Sequence, residues 1–333
     1  MLRAYGTANG CLTEYPPDIR PRVPADAVWI DLVEPTDLEE SAVEEALGID
    51  IPPREELAEI EASSRLYQED GATFMTATLI RRGENDRPES SPVTFIVKDQ
   101  WLVTVRYHHP QAFPAYVRRA MKPQTTSMTS WGILISLLEA VIDRAADHLE
   151  RVGLIVDDTS RQVFNRSQTP GGRRRRLRGS SLEELVEKIG EEGDFTSKMR
   201  ESLVSIGRMG AYMSAALDAM KQVKEMKDHR ARLKILQRDI LSLTDHSSFL
   251  SGKINFLLDA VLGLINIEQA GIIKIFSVAA VVFLPPTLVA SVYGMNFQFM
   301  PELEWTYGYP FAIGIMILSA VLPWLYFKRK GWL

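Results

Sequence analysis

The sequence has 333 residues but only one cysteine, Cys11, and five histidines. A single cysteine excludes an intramolecular disulfide framework and a cysteine-rich metal cluster. The sequence contains no GxxxxGK[ST] phosphate loop and no evident pairing of a nucleophile with a base, so we do not expect an enzyme. The net charge of −5 argues against nucleic acid as a partner, because neutralising phosphates requires an excess of Lys and Arg.

Charged residues are also absent from two long stretches near the C-terminal end, residues 275–301 and 305–327. Each stretch exceeds the roughly 20 apolar residues that a helix needs to cross a bilayer. We therefore predict two membrane-spanning helices, the second over residues 306–327. Because two helices cannot enclose a pathway, anything that crosses requires an oligomer.

The positive charges beside the spans predict their orientation. Lys253 and Lys274 precede the first span and the basic tail 328–333 follows the second, whereas the charged residues of the connecting loop 294–305 are Glu302 and Glu304. We expect both termini to be cytoplasmic and the acidic loop to be external, where it attracts cations. The N-terminus has no apolar run of signal-peptide length, which also favours a cytosolic large domain.

Residues 1–128 have the pattern of a mixed α/β domain. A capping-box pattern from Thr36 to Glu39 predicts a helix that continues to about Leu47. Residues 83–92 predict an exposed loop. Runs rich in β-branched and aromatic residues predict strands, the last two joined as a hairpin across Asp99 and Gln100, over 27–32, 73–80, 93–98 and 101–106.

Residues 129–232 predict a cytosolic helical hairpin region, since no proline occurs between Pro170 and Pro285. Residues 165–181 interrupt the helices. The arginine-rich run 173–178 favours a solvated linker over a site for anionic lipid or nucleic acid. The acidic segment 183–194 is either a solvated helix face or a surface that loosely attracts cations.

Apolar residues recur at alternating steps of three and four from Leu233 to Leu264 and form a heptad stripe. Since nothing breaks the pattern before the first span, we predict one continuous helix over 233–293, on the order of 90 Å long. A coiled-coil-like neck of this kind would let several subunits line one axial channel. An anchored coiled-coil scaffold without a pore is the alternative.

The residues that follow this helix carry a family signature. Tyr293-Gly294-Met295-Asn296 is followed by Met300-Pro301-Glu302-Leu303, and the chain ends in the basic run KRKGWL. Three further segments belong to the same pattern, which therefore covers essentially the whole chain: VWIDLVEP, IEASSR and NIEQAGIIKIFSVAAVVFLPPTLVAS. It resembles the CorA family of magnesium and cobalt transport proteins, whose mark is Gly-Met-Asn, an MPEL loop and a second span.

The resemblance implies a homopentameric funnel in a bacterial cytoplasmic (inner) membrane. In this arrangement the cytosolic α/β domains form the funnel, the long first-span helix lines the pore and the second span packs outside. The implied function is channel-like uptake of divalent cations, chiefly Mg²⁺ but also Co²⁺ and Ni²⁺, down the electrochemical gradient. Intracellular Mg²⁺ is then both the transported ion and the ion that gates the channel.

The resemblance also implies a selectivity filter formed by Gly294, Met295 and Asn296. Mg²⁺ prefers six oxygen ligands and gives up water reluctantly, so a collar of neutral oxygens can bind the hydrated ion. The Asn296 amide and the Gly294 carbonyl would provide that collar. An asparagine that merely caps the helix is the alternative.

The pore face carried over from the family is uncharged. Leu284 and Ile273 could form narrow apolar rings that gate by dewetting, although packing against lipid or other side chains remains open for each. The chain departs from the family pattern at Ala270, where relatives often have Asn, and at Gln298, where Glu is common. The predicted pore-lining residues are Ile273, Ser277, Ala280, Leu284, Thr287 and Ser291.

The regulatory metal would bind carboxylates of the cytosolic part. Candidates on the neck helix are Asp239, Asp245 and Asp259, of which Asp259 matches the family's inner pore mouth. A solvated surface is the alternative for each of them.

Two other functions remain open. A zinc transporter of the same superfamily would prefer His or Cys ligands, and His108-His109 is better explained as part of a loop than as a site. Met295 and the MPEL loop favour magnesium. A membrane-anchored scaffold that transports nothing is the second alternative.

Overall fold

The computed structural model describes residues 1–16, 21–57, 59, 61–82, 88–123, 128–164, 179–220, 226–296, 300–301 and 305–331. The chain divides into two compact units. The first contains the β-sheet and the helical residues packed with it up to Leu258, and the second contains Asp259–Leu333 together with residues 179–182 at the start of the sixth helix.

Seven strands form one sheet in the first unit: β1 (Leu2–Ala8), β2 (Cys11–Glu14), β3 (Ala27–Val33), β4 (Leu66–Glu69), β5 (Ala72–Arg82), β6 (Pro88–Lys98) and β7 (Trp101–Arg106). Their order across the sheet is β2-β1-β3-β7-β6-β5-β4. The pair β3 and β7 at the centre is parallel, and the strands on either side of it pair antiparallel.

The four predicted strands are confirmed as β3, β5, β6 and β7, and β6 and β7 form the predicted hairpin, with Lys98 paired to Trp101. The prediction of a loop over 83–92 is wrong for residues 88–92. These residues belong to β6 because they pair with Thr78–Arg82 of β5. Residues 83–87 lie outside the described part of the chain.

Four short helices accompany the sheet: α1 (Asp37–Leu47), α2 (Arg54–Leu57), α3 (Ala62–Arg65) and α4 (Ala112–Ala120). The predicted helix is confirmed as α1. The Glu39 carboxylate accepts a hydrogen bond from the backbone N–H of Thr36 at 2.9 Å. It also accepts one from Leu2 at 2.7 Å, so the same side chain caps α1 and fixes β1 beside it.

A buried ion pair joins the central strands. Arg106 Nη2 lies 2.8 Å from Asp31 Oδ2, and Thr104 Oγ1 donates to Asp31 Oδ1 at 2.7 Å. Arg106 Nη1 also donates to the carbonyl oxygen of His108 at 2.8 Å. Each buried charge thus has partners beyond the ion pair itself, which a buried pair needs in order to offset its desolvation.

Three long helices follow: α5 (Ser130–Phe164), α6 (Gly179–Ala219) and α7 (Met226–Tyr293). The acidic segment 183–194 lies within α6. The long helix ends at Tyr293, as predicted, but it begins at Met226 rather than near Leu233.

The heptad stripe of α7 is largely buried within the chain itself. Ile240 and Ile254 pack on α6, where their methyl groups lie 3.4 Å from the positions that a Cβ on Gly207 and on Gly193 would take. The hydroxyl of Ser247 donates to the Thr196 carbonyl oxygen of α6 at 3.2 Å. These contacts bury the stripe against α6 of the same chain. Its buried members are Leu233, Leu236, Ile240, Ser247, Leu250, Ile254, Leu257 and Val261.

The second unit contains the apolar part of α7 and the last helix, α8 (Gly308–Arg329). Both α7 and α8 are long and apolar enough to cross a membrane, and they coincide with the two predicted spans. Lys274 Nζ donates to the Gly331 carbonyl oxygen at 3.4 Å. Because this contact joins an early residue of the apolar part of α7 to the residues just beyond α8, the two helices run antiparallel.

Candidate functional site

The predicted filter residues directly follow the end of α7. The N–H of Gly294 donates to the Ala290 carbonyl oxygen at 2.9 Å, and the N–H of Met295 donates to the Val292 carbonyl oxygen at 3.3 Å. A Cβ on Gly294 would lie 3.1 Å from the Ala290 oxygen, so the absence of a side chain permits this close approach. Asn296 is exposed immediately beyond the turn, next to the carbonyl end of α7.

The six predicted pore-lining residues share one face of α7, and each is exposed in the single chain. Exposure is not confined to this face, since Ile272, Ile275 and Phe283 are exposed as well, whereas Val278 is buried and Val282 and Val289 are half-buried. The exposed face carries no charge. This uncharged face, on which apolar residues alternate with Ser277, Thr287 and Ser291, has to lie against lipid, other copies of the chain or a water-filled pore. The six residues are Ile273, Ser277, Ala280, Leu284, Thr287 and Ser291.

Two prolines remove backbone hydrogen bonds from the membrane part of α7. Pro285 and Pro286 lie inside α7 and have no N–H, so the carbonyls of Val281 and Val282 lack their usual helical donors. Directly after them, the hydroxyl of Thr287 donates to the Leu284 carbonyl oxygen at 2.8 Å. The hydroxyl proton is directed at the helix, and the oxygen keeps its lone pairs for water or a cation.

The predicted regulatory carboxylates do not meet within one chain. Asp239, Asp245 and Asp259 are all exposed. Asp239 and Asp245 are separated by about 9 Å along the helix axis, since each residue adds 1.5 Å. Among the described residues, no group of three or more His, Cys, Asp or Glu side chains is placed to hold a metal ion.

The predicted external carboxylates Glu302 and Glu304 lie outside the described residues, as do Gln298 and the arginine-rich run 173–178. The residue Ala270, where the chain departs from the family pattern, is exposed on α7.

Aromatic residues and cations meet at the end of α8. Lys328 Nζ lies 4.7 Å from the centre of the Trp324 ring, and Lys330 Nζ lies 5.2 Å from that of Tyr326. A lysine beside an amphipathic ring is typical of the boundary between membrane and water. These contacts therefore favour an interface at the C-terminal end of α8.

An exposed apolar face of α7 in the first unit was missed in the sequence. Ile235, Phe249 and Phe256 are all exposed, although the heptad residues between them are buried. Phe256 stacks on Phe164 of α5 with ring centroids 5.9 Å apart. Ile235 and Phe249 are fourteen residues apart, and Phe249 and Phe256 are seven apart. These multiples of a heptad are the signal in the sequence that could have revealed a second stripe.

Comparison with known proteins agrees with this architecture. The family described as CorA-like Mg²⁺ transporter protein matches residues 24–329. A magnesium transport protein CorA of Escherichia coli strain K12 is 38% identical over 334 residues, covering 100% of both chains. One of Salmonella typhimurium strain LT2 is 38% identical over 308 residues, covering 92% of each.

Among solved structures, the complete CorA magnesium transporter of Methanocaldococcus jannaschii has the same fold. It superposes with a TM-score of 0.70 at 20% sequence identity, covering 100% of this chain and 99% of that one. With the family match and the full-length identity to relatives, we conclude that this chain belongs to the family of CorA-like Mg²⁺ transporter proteins.

Proposed function

We propose that this chain mediates channel-like uptake of divalent metal cations, chiefly Mg²⁺ and also Co²⁺ and Ni²⁺, across the cytoplasmic membrane. One observation carries the proposal: an exposed, uncharged stripe on α7 leads directly to Gly294-Met295-Asn296. The full-length similarity to proteins named magnesium transport protein supports the choice of ion.

In this proposal the subunits form a homopentamer around one axis. Each α7 turns its exposed stripe inward, and α8 lies outside it. The positive charges beside the spans support cytoplasmic termini. In the ring this stripe would line the pore, which would account for the hydroxyl groups of Ser277, Thr287 and Ser291 on a helix inside the membrane.

Asn296 selects the ion by binding its hydration shell. An amide oxygen offers a partial negative charge without a full carboxylate, so it can accept hydrogen bonds from the water molecules around Mg²⁺. The carbonyls at the end of α7 add the negative end of the helix dipole. Gly294 allows the chain to turn there, so that Asn296 follows those carbonyls closely.

Inside the membrane, Leu284 and Ile273 form apolar constrictions. The Thr287 oxygen, next to the constriction at Leu284, offers a polar contact to water or the cation. A narrow apolar ring conducts only when it is wetted, so small changes in its radius gate the ion. Inward movement needs no ATP, because a divalent ion that falls through 100 mV gains roughly 4.6 kcal/mol.

Intracellular Mg²⁺ limits the inward flow by binding between subunits. Asp239, Asp245 and Asp259 are exposed and form no hydrogen bond or ion pair with any residue that the structure describes. Carboxylates of neighbouring subunits could share an ion, whereas those of one chain are too far apart. When internal Mg²⁺ falls, the like charges repel one another and the ring opens.

The test is Mg²⁺ uptake into proteoliposomes under an inside-negative potential. We expect uptake with the parent and its loss in Asn296→Ala. The control Gln68→Ala, which changes an exposed amide side chain of β4 in the first unit, should keep the parent rate. Size-exclusion chromatography checks that the oligomer is intact. Uptake of Zn²⁺ but not Mg²⁺ would point to a zinc transporter, and uptake of neither ion would leave the scaffold.

A further inference from the structure

A polar cavity lies in the first unit, away from the predicted pore residues. It has a volume of about 400 Å³ and lies between α6 and the edge of the sheet. Three arginines contribute to its wall together with hydroxyl groups and one carboxylate. The residues that line it are Arg65, Leu66, Thr76, Thr78, Ser197, Arg200, Glu201, Val204, Ser205 and Arg208.

The cavity exists because β4 is shorter than β5. β4 pairs with Ala72–Met75, and among the described residues no strand pairs with this edge of β5 from Thr76 onward. Two serines of α6 take over at Thr78: its N–H donates to Ser205 Oγ at 3.0 Å, and its carbonyl accepts from Ser202 Oγ at 2.6 Å. The edge of the sheet is thereby fixed against α6, with space left beside the contact.

The three arginines around this cavity have only one carboxylate, Glu201, among the lining residues to balance their charge. Arg65 is held by packing: its Nη1 donates to Thr78 Oγ1 at 3.1 Å, and its Nε donates to the Glu59 carbonyl oxygen. Burial lowers the pKa of Arg65, the nearby positive charge of Arg208 lowers it further, and Glu201 opposes this. Arg200 and Arg208 form no hydrogen bond or salt bridge with any residue in the described part of the chain.

The local charge contrasts with that of the whole protein. Three guanidinium groups and the Glu201 carboxylate give the cavity a formal charge of +2, in a chain whose net charge is −5. Guanidinium groups match the oxygens of a phosphate group with paired N–H donors. The hydroxyls of Thr78 and Ser205 already accept hydrogen bonds and still have their own protons to donate to an anion.

We infer that this cavity binds a small molecule through a phosphate group held by Arg65, Arg200 and Arg208. A doubly charged phosphate group balances the local charge. The volume exceeds what one phosphate fills, so a phosphate ester such as a nucleoside monophosphate also fits. This site does not depend on the ion pathway, and the chain can have it whether or not it transports cations.

The test is calorimetric titration of the full-length oligomer in detergent with inorganic phosphate, adenosine monophosphate and adenosine. We expect phosphate and the monophosphate to bind and adenosine not to bind. Tighter binding of the monophosphate identifies an ester as the ligand, and equal binding identifies free phosphate.

Variants locate the binding. Arg200→Gln and Arg208→Gln change exposed side chains without intrachain bonds among described residues, so the fold should persist. We expect each to weaken phosphate binding roughly tenfold to a hundredfold, as for loss of a charge-assisted hydrogen bond. Arg151→Gln, an exposed arginine of α5 outside the cavity, should bind as the parent does. Absence of binding to the parent, equal affinity in all variants, or adenosine binding as tightly as its monophosphate overturns the inference.

Discussion

The hydroxyl of Thr287 donates to the carbonyl oxygen of Leu284, 2.8 Å away, directly after two consecutive prolines. The contact fixes the side chain against the helix in a segment where proline removes two backbone donors. It also links a polar and an apolar residue of the same exposed stripe, since the hydrogen bond leaves the Thr287 oxygen as an acceptor.

Replacing Thr287 by valine should therefore lower Mg²⁺ uptake several-fold. Valine keeps the shape and the β-branched preference but has no oxygen to present to a hydrated cation. Thr287→Ser keeps the hydroxyl, so its uptake should stay near the parent rate. Proteoliposome flux measures both variants, and equal rates for valine and serine would show that this oxygen has no role in conduction.

Gly294→Ala should reduce uptake while the chain still folds. The new Cβ would meet the Ala290 oxygen at 3.1 Å, so the turn has to shift and Asn296 moves with it. Gly263→Ala is the matched control, because a Cβ there meets nothing within 4 Å. At this helical position alanine should stabilise by about 0.5–1 kcal/mol and leave uptake unchanged. Parent-like flux in Gly294→Ala would contradict the close-approach argument.

The burial of the heptad stripe can be tested with two leucines. Leu250 on α7 is 2% exposed, whereas Leu154 on α5 is 71% exposed. Leu250→Ala should lower the free energy of unfolding by about 2–5 kcal/mol, since it leaves a cavity between helices. Leu154→Ala should change it by less than about 0.5 kcal/mol. Thermal unfolding in detergent compares them, and similar losses in both would mean that the stripe is not a core.

His108 predicts an acid-sensitive stability. It is buried, and burial, followed by the positive charge of Arg106, lowers its pKa from 6.5 to about 4. Between pH 6.5 and pH 4 the unfolded chain therefore binds a proton that the folded chain does not, so stability falls as the pH falls. At pH 4 this difference in proton binding lowers the free energy of unfolding by roughly 3 kcal/mol.

His108→Leu should flatten this pH dependence, because leucine fills a similar volume and does not titrate. The exposed His246, changed to Gln, is the control and should leave the parent's profile unchanged. Unfolding temperatures at several pH values between 7.5 and 4.5 provide the comparison. A variant with an undiminished slope in this range would assign the acid sensitivity to other groups.

The sequence patterns located some elements much better than others. β3, β5 and β7 were predictable because they are rich in β-branched and aromatic residues. β1 was not, since LRAYGTA has weak strand preference, and it is held instead by pairing with β3 and by Tyr5, whose ring stacks on Trp29 at 4.6 Å. Tertiary contacts here override local propensity.

A similar limit applies to α7. Periodicity identified the buried residues of its stripe, but a repeat of three and four does not say which surface covers them. The glycines of α6 that receive Ile240 and Ile254 lie far away in sequence. For the filter, the turn at Gly294 follows from local sequence, whereas the ring of Asn296 residues depends on other subunits and stays a prediction.

The internal burial of the α7 stripe has a consequence for biogenesis. Because α5 and α6 of the same polypeptide cover Leu250, Ile240 and Ser247, the packing of this region requires no second copy. Each newly made chain can therefore complete this core at any concentration, before any association with other copies. If copies of the chain associate as proposed, dilution would separate them without exposing these side chains, whereas dilution of an obligate intertwined neck would expose them.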